Sequence, residues 1–120
     1  MFKFSLESNS TVVDYVIQEV GDDLHISITG GDIHIGGIGL VSNGTYNILS
    51  VQDHKEYELI QPLAKKLTKY EDITILISAG IHVDDISIDE IREIVNNNYI
   101  AIEKIDKYIC SEYELFHEFK

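Results

Sequence analysis

The chain of 120 residues has the length of one domain, and its hydrophobic content of 44% is that of a globular protein. It has 21 acidic residues against 9 basic ones, and the formal net charge of −12 excludes nucleic-acid binding through a general basic surface as well as attraction to an anionic membrane. A lone cysteine, Cys110, excludes an intramolecular disulfide framework, and no apolar run approaches the roughly 20 residues of a membrane span. We therefore expect one cytoplasmic domain over residues 1–120.

The first part of the chain predicts β-strands. Residues that suit a pleated surface are frequent from Ser10 to Val20, and apolar and polar residues alternate from Leu24 to Thr29. Gly21-Asp22-Asp23 lies between them as a turn signal, so these two strands are expected to form a hairpin. Asn43-Gly44 predicts a tight turn before a returning strand from Tyr46 to Val51. Together these segments predict an antiparallel meander.

The second part of the chain predicts helices around one buried strand. Helical spacing starts near residue 54, and Pro62 is expected either to kink this helix or to lie in the first turn of a later one. The apolar run 73–78 predicts the strand. The capping box Ser87-Ile88-Asp89-Glu90 predicts a short helix to about Val95, and a second helical pattern follows Asn96-Asn97-Asn98. We expect an α+β fold with an antiparallel sheet of about five or six strands and two or three helices on one face.

The densest cluster of unusual residues is Gly30-Gly31-Asp32-Ile33-His34-Ile35-Gly36-Gly37-Ile38-Gly39. It contains five of the eight glycines, which allow another group to approach the backbone closely. His34 is a polar ring among isoleucines and needs a partner if it is buried. The cluster therefore indicates either a ligand site around His34 or a glycine-rich β-bulge between two strands.

A second candidate segment, Asp53-His54-Lys55-Glu56, lies at the junction between a strand and a helix. The start of a helix offers free backbone amides and the positive end of the helix dipole. His54 and Lys55 would add donors and charge for an anion there. The alternative is a helix capped by Asp53 with two solvated side chains.

A third candidate segment, Ser78-Ala79-Gly80-Ile81-His82-Val83-Asp84-Asp85, follows the buried strand. Small residues before His82 can place its imidazole in a cleft, beside two carboxylates. The alternative is a turn that leads into a solvated, acidic helix start. We assign the remaining histidines, His25 and His117, to the surface, and Cys110 to the core.

No standard nucleophile or zinc motif occurs in the chain. The three segments lie where the local pattern changes, and such junctions can cluster at one edge of a sheet. We therefore expect His34, His54 and His82 to face one cleft, where they could hold a divalent metal ion or one phosphate-sized ligand. One function that fits is that of a small metal-dependent hydrolase or lyase. It would use these histidines, with Asp84 or Asp85 as general base.

These three segments resemble the ordered motifs of a known family. Residues Thr29–Gly36, Asp53–Glu56 and Ala79–Asp84 are similar to those of prenylated-flavin chaperones of the LpdD type, the small D proteins of UbiD-type hydroxyarylic acid decarboxylase systems. The similarity covers nearly the whole chain, and the most specific match is Gly-Ile-His-Val-Asp at 80–84. The chain has Ile33 where the family usually has proline and Asp53 where it usually has glycine.

The resemblance implies that the protein binds prenylated FMN and delivers or matures it for a UbiD-type non-oxidative aryl acid decarboxylase, without decarboxylating anything itself. The flavin's ring or phosphate would approach the glycines, and Lys55 would hold the phosphate. The expected cofactor-binding residues are Gly30, Gly31, His34, Gly36, Gly37, His54, Lys55, Gly80 and His82. A homodimer is expected because a domain of this size has little room to enclose a flavin. A structural subunit of a decarboxylase complex that binds no cofactor is the remaining alternative.

Overall fold

A computed structural model describes residues 1–8, 11–51 and 56–118, and for residues 114–118 it describes the backbone. The fold is α+β, as expected. The strands of the described residues are β1 (Phe2–Ser8), β2 (Thr11–Val20), β3 (Asp23–Gly31), β4 (Gly37–Ser42), β5 (Thr45–Ser50) and β6 (Ile75–His82). The helices are α1 (Tyr57–Leu67) and α2 (Ile88–Glu118).

The six strands form one mixed sheet in the order β1-β2-β3-β6-β4-β5. The expectation of a purely antiparallel sheet is wrong, because β6 runs parallel to β3 and antiparallel to β4. The reason lies in the connection through α1. This helix packs on β4, β5 and β6 and carries the chain across β4, so that β6 runs in the same direction as β5 and lies between the two hairpins.

Both predicted hairpins are present. β2 and β3 pair antiparallel around Gly21-Asp22, and β4 and β5 pair around Asn43-Gly44. Asn43 and Gly44 have φ values of 53° and 78°, which are the left-handed conformations that a tight hairpin turn requires.

The helix predicted near residue 54 begins at Tyr57 and contains Pro62 in its interior, so the interpretation of a later helix start is wrong. Glu56 occupies the position before the first helical residue, while Asp53 lies outside the described residues. Lys65 and Lys66 lie in the last turn, where cations interact favourably with the helix dipole.

The predicted break at Asn96-Asn97-Asn98 is also wrong, because α2 is continuous through these residues. The side chains of Asn97 and Asn98 make tertiary contacts within the continuous helix. The Asn97 amide donates to the carbonyl oxygen of Glu7 at 3.0 Å and to the hydroxyl of Ser8 at 2.8 Å. Hydrogen bonds to other elements compensate for the modest helix propensity of asparagine.

The predicted start of α2 is present. The hydroxyl of Ser87 accepts a hydrogen bond from the amide of Glu90 at 3.1 Å, as in a capping box. The Glu90 carboxylate accepts from that same hydroxyl at 3.3 Å, where the motif predicts a contact with the backbone amide.

The hydrophobic core lies between one face of the sheet and the two helices. It includes inward residues of the central strands and of both helices, among them Tyr15, Ile26, Ile28, Ile75, Ile77, Ile60, Leu63, Ile105 and Ile109. The opposite face of the sheet, which we call the open face, carries no helix among the described residues. No helix in the described part of the chain is long and apolar enough to cross a membrane.

Candidate functional site

The candidate site lies where β3 and β6 end side by side. These strands are parallel, and their register pairs Gly31 with His82. The amide of Asp32 then donates to the carbonyl oxygen of His82 at 2.9 Å. Gly31 has a φ of 62°, and a Cβ atom at this position would overlap that same carbonyl. The first and third candidate segments are therefore joined by their backbones.

The segment 32–36 folds back against the end of β6. Its last amide, that of Gly36, donates to the carbonyl oxygen of Ala79 at 2.8 Å. The carbonyl of His34 lies against Gly80, in the space that a Cβ atom of any other residue would occupy. Nδ1 of His34 lies 3.0 Å from the carbonyl oxygen of Asp32. These contacts fix where the His34 ring can lie.

Glu56 brings the start of α1 into this site. The residue is only 4% exposed, and its Oε1 atom lies 3.4 Å from Nε2 of His34. The backbone amide of Ile81 donates to the same oxygen at 3.4 Å. A Cβ atom at Gly36 would overlap the Glu56 carboxylate, so the glycine leaves the space in which this carboxylate lies. Glu56 thus contacts both the first and the third segment.

The sequence offered no signal that marks Glu56 as a site residue. It belongs to the second candidate segment, but a glutamate just before a helix is ordinarily a solvated group that interacts with the helix dipole. Exposed Glu58, two residues later, shows that behaviour. The Glu56 carboxylate lies in space that a side chain at position 36 would occupy, and Gly36 is distant in sequence.

His34 and His82 lie together, with ring centroids 6.3 Å apart and the rings nearly perpendicular. Nε2 of His82 is 3.0 Å from Oδ1 of Asp84, and both side chains are largely exposed. Single ligand atoms of Asp32, His82 and Asp84 lie within 4.8 Å of one another. The predicted site residues His54 and Lys55 lie outside the described residues.

A cleft of about 400 Å³ opens beside His82, between the end of β6 and the first turns of both helices. This volume is within the range of small-molecule sites, about 300–1,000 Å³. Its lining is mainly apolar, and its polar side chains are those of Glu56, Glu58 and His82. It consists of Glu56, Glu58, Leu59, Ile81, His82, Val83, Ile86, Ile91, Ile94 and Val95.

The surroundings of the cleft combine negative charge with exposed apolar surface. Glu56 and Glu58 are the charged groups among the described lining residues, which include no lysine or arginine. Ile33 and Ile35, on either side of His34, are 73% and 65% exposed. Isoleucines are usually buried, so this end of the domain presents an apolar surface to a ligand or a partner.

The glycines of the first segment serve internal packing in the structure. Gly30 and Gly31, at the end of β3, lie against the backbone of neighbouring strands. Gly36 lies against the side chain of Glu56, and Gly37 lies against that of Ile60. They shape the walls of the site, and protein atoms already fill the space above them.

Three residues that the sequence did not assign to a site are His25, Cys110 and His117. His25, expected at the surface, is half-buried on the open face, where Nε2 lies 2.9 Å from the Ser78 hydroxyl. Cys110 packs against the core, as expected. The side chain of His117 is outside the described residues.

Comparison with known proteins identifies the family. A comparison with curated proteins finds none that matches the chain. The family model of the prenylated flavin chaperone LpdD-like domain matches residues 7–110, a span that includes His34, His82 and every strand from β2 to β6. The chain therefore belongs to the family of prenylated flavin chaperones with an LpdD-like domain.

Proposed function

We propose that this protein binds prenylated FMN in the cleft beside His82 and delivers or matures it for a UbiD-type non-oxidative aryl acid decarboxylase in the cytoplasm. The observation that carries the proposal is the cleft of about 400 Å³ beside His82, whose lining is mainly apolar and also includes Glu56 and Glu58. A flavin has an extended apolar ring system and a phosphate, and such a lining suits its rings. Family membership supports the ligand.

The residues proposed to hold the cofactor divide by chemistry. His82 lines the cleft and His34 lies next to it, and both are proposed to contact the cofactor, together with His54 and Lys55 just before α1. Gly30, Gly31, Gly36, Gly37 and Gly80 are proposed to shape the site by bringing the segments together. The bound cofactor would supply the electron-accepting ring for the client enzyme's chemistry, and this chain would bind and orient it.

The partner is proposed to dock around the exposed isoleucines. A chaperone that releases its ligand to an enzyme must place its site next to that enzyme's surface. Ile33 and Ile35 are more than half exposed beside His34, and Ile88 on the first turn of α2 is 68% exposed. Burial of these side chains against a partner would remove apolar surface from water at the edge of the cleft.

A homodimer is proposed to form through the open face of the sheet. Leu40 and Leu49 on this face are 45% and 70% exposed, and Val12 is 42% exposed. Two copies that each carry a net charge of −12 repel one another, and apolar surface is where they approach at the lowest electrostatic cost. Size-exclusion chromatography with light scattering tests this state, and a monomer in the presence of ligand contradicts it.

The function is tested by anaerobic reconstitution. The purified protein is mixed with prenylated FMN, desalted, and then added to an apo-decarboxylase of the UbiD type with its substrate. We expect a coloured, stoichiometric complex that has no turnover alone and activates the apoenzyme. Turnover by the isolated chain would support the small histidine-metal enzyme. A colourless protein that co-purifies with the large subunit would support the structural subunit.

A further inference from the structure

Asp32, His82 and Asp84 form a set of metal-ligand side chains at the outer edge of the cleft. Each offers one ligand atom, and these three atoms lie within 4.8 Å of one another. In a divalent metal centre with bonds of about 2.0–2.2 Å, neighbouring ligand atoms are about 3 Å apart. Small side-chain rotations therefore bring the three groups to one ion.

The backbone holds two of these residues at the ends of paired strands. Gly31 is in register with His82, and the amide of Asp32 donates to the His82 carbonyl at 2.9 Å. Asp84 follows two residues later and places Oδ1 at 3.0 Å from Nε2 of His82. The set thus unites parts of the chain that are 50 residues apart in sequence.

The local charge favours a cation. Asp32 and Asp84 bring two carboxylates close together, and a third carboxylate, that of buried Glu56, lies beside His34. The described lining of the cleft includes no lysine or arginine to hold the phosphate of an anionic ligand. A divalent cation would relieve the repulsion between the carboxylates and would supply positive charge at the edge of the cleft.

We propose that Asp32, His82 and Asp84 bind one divalent cation of the type that accepts mixed oxygen and nitrogen ligands, such as Mn²⁺. Two carboxylates and one imidazole leave several coordination positions open. Those positions accept water or a phosphate oxygen, so the cation recruits the phosphate of the flavin. This second part rests on the proposed function, whereas binding of the cation does not.

His34 lies next to this set without belonging to it. Its Nδ1 faces the Asp32 carbonyl at 3.0 Å, and its Nε2 faces Glu56 at 3.4 Å. The metal site predicted from the sequence consists of His34, His54 and His82, and the proposed site shares only His82 with it.

The first experiment measures the metal alone. Mn²⁺ is titrated into the flavin-free protein and followed by its electron paramagnetic resonance signal and by calorimetry. We expect one ion per chain, and at least about tenfold weaker binding in Asp32→Asn and in Asp84→Asn. Asp85→Asn is the matched control, because it removes the same charge from the next residue, outside the set. We expect its affinity to stay within about twofold.

Two results would overturn the metal site. One is the absence of stoichiometric binding by the unmodified protein. The other is equal weakening by Asp85→Asn and Asp84→Asn, which would show general attraction to an acidic surface. Because Asp32 and Asp84 are exposed, we expect each variant to keep its fold. Circular dichroism of each variant checks this.

The second experiment tests the link to phosphate. Prenylated FMN and its dephosphorylated form are each titrated into the protein with and without Mn²⁺. We expect Mn²⁺ to tighten binding of the phosphorylated form alone. Equal affinities with and without Mn²⁺ would overturn the phosphate bridge and leave the metal site standing. Failure of both flavins to bind would overturn the proposed function, and the first experiment would still decide on the metal.

Discussion

The backbone carbonyl of His34 lies against the α-carbon of Gly80, where every other residue would carry its Cβ atom. This close approach brings the segment after β3 onto the end of β6, and His34 and His82 thereby lie at one end of the sheet. The buried carboxylate of Glu56 occupies the space where any residue other than glycine at position 36 would carry its Cβ atom. The site therefore depends on two glycines that lie in different segments and touch different partners.

Gly80→Ala is expected to destabilise the fold more than Gly36→Ala. At Gly80 the added methyl meets backbone, which cannot move without disturbing the strand end, whereas at Gly36 it meets the end of a side chain. We expect a loss of more than about 3 kcal/mol for Gly80→Ala and about 1–2 kcal/mol for Gly36→Ala. Urea unfolding measures both. Equal losses would show that the carbonyl of His34 relaxes freely.

Gly36→Ala and Glu56→Ala are expected to be coupled. The alanine side chain at position 56 removes the carboxylate that the methyl at position 36 would strike. The double variant should therefore be more stable than the sum of the two single losses predicts, by about 1 kcal/mol. A double-mutant cycle from urea unfolding measures this coupling, and strict additivity would contradict it.

His82→Ala is expected to weaken binding of prenylated FMN far more than it weakens folding. The side chain of His82 is 53% exposed, so its loss removes little core packing. We expect affinity to fall at least about tenfold, and the free energy of unfolding to change by less than about 1 kcal/mol. His25→Ala, on the open face, should leave ligand affinity unchanged. Unaltered affinity in the His82 variant would contradict the site.

Asn98→Ala is expected to destabilise the protein by about 2–4 kcal/mol. Buried Asn98 accepts from the Tyr15 hydroxyl at 2.9 Å and donates to the carbonyl oxygen of Leu59 at 3.0 Å. Its removal leaves both buried groups without these hydrogen bonds. Asn96→Ala is the matched control, because Asn96 is exposed on the same helix and should change stability by less than about 0.5 kcal/mol. Chemical unfolding compares them.

Stability is expected to fall steeply in alkali. Burial raises the pKa of Tyr15, and burial together with the Asp106 carboxylate raises the pKa of Tyr70. In the unfolded chain these tyrosines ionise at about pH 10, whereas the folded protein keeps them protonated. Their contribution to the free energy of unfolding is therefore complete below about pH 10 and is lost as the pH rises above it. Thermal melts from pH 8 to about pH 11.5 measure the loss.

Tyr15→Phe provides the control for this alkaline loss. The variant lacks the ionisable hydroxyl, so its melting temperature should fall less steeply above about pH 10 than that of the unmodified protein. Tyr99→Phe, at an exposed position, should keep the original slope. If Tyr15→Phe keeps it as well, ionisation of Tyr15 does not drive the alkaline transition.

Local patterns in the sequence determined the elements of the fold. Asn43-Gly44 specifies a turn because both residues tolerate positive φ, and Ser87 with Glu90 specifies a helix start through contacts within one turn. Such signals involve residues that are adjacent in the sequence, so the sequence alone predicts the turn or the helix start. The run Asn96-Asn97-Asn98 predicted a break that does not occur, because Asn97 and Asn98 form hydrogen bonds with Glu7, Ser8 and Leu59 of other elements.

The sequence by itself determined the class of fold, the two hairpins and the family motifs, and only the tertiary structure decided how the strands assemble and what surrounds the histidines. Insertion of β6 between β3 and β4 sets the pairing of Gly31 with His82, which unites Asp32 with Asp84. Burial of the Glu56 carboxylate requires a residue without a Cβ atom at position 36. These relationships join residues far apart in the chain, and their energies depend on packing and strand pairing that no local pattern encodes.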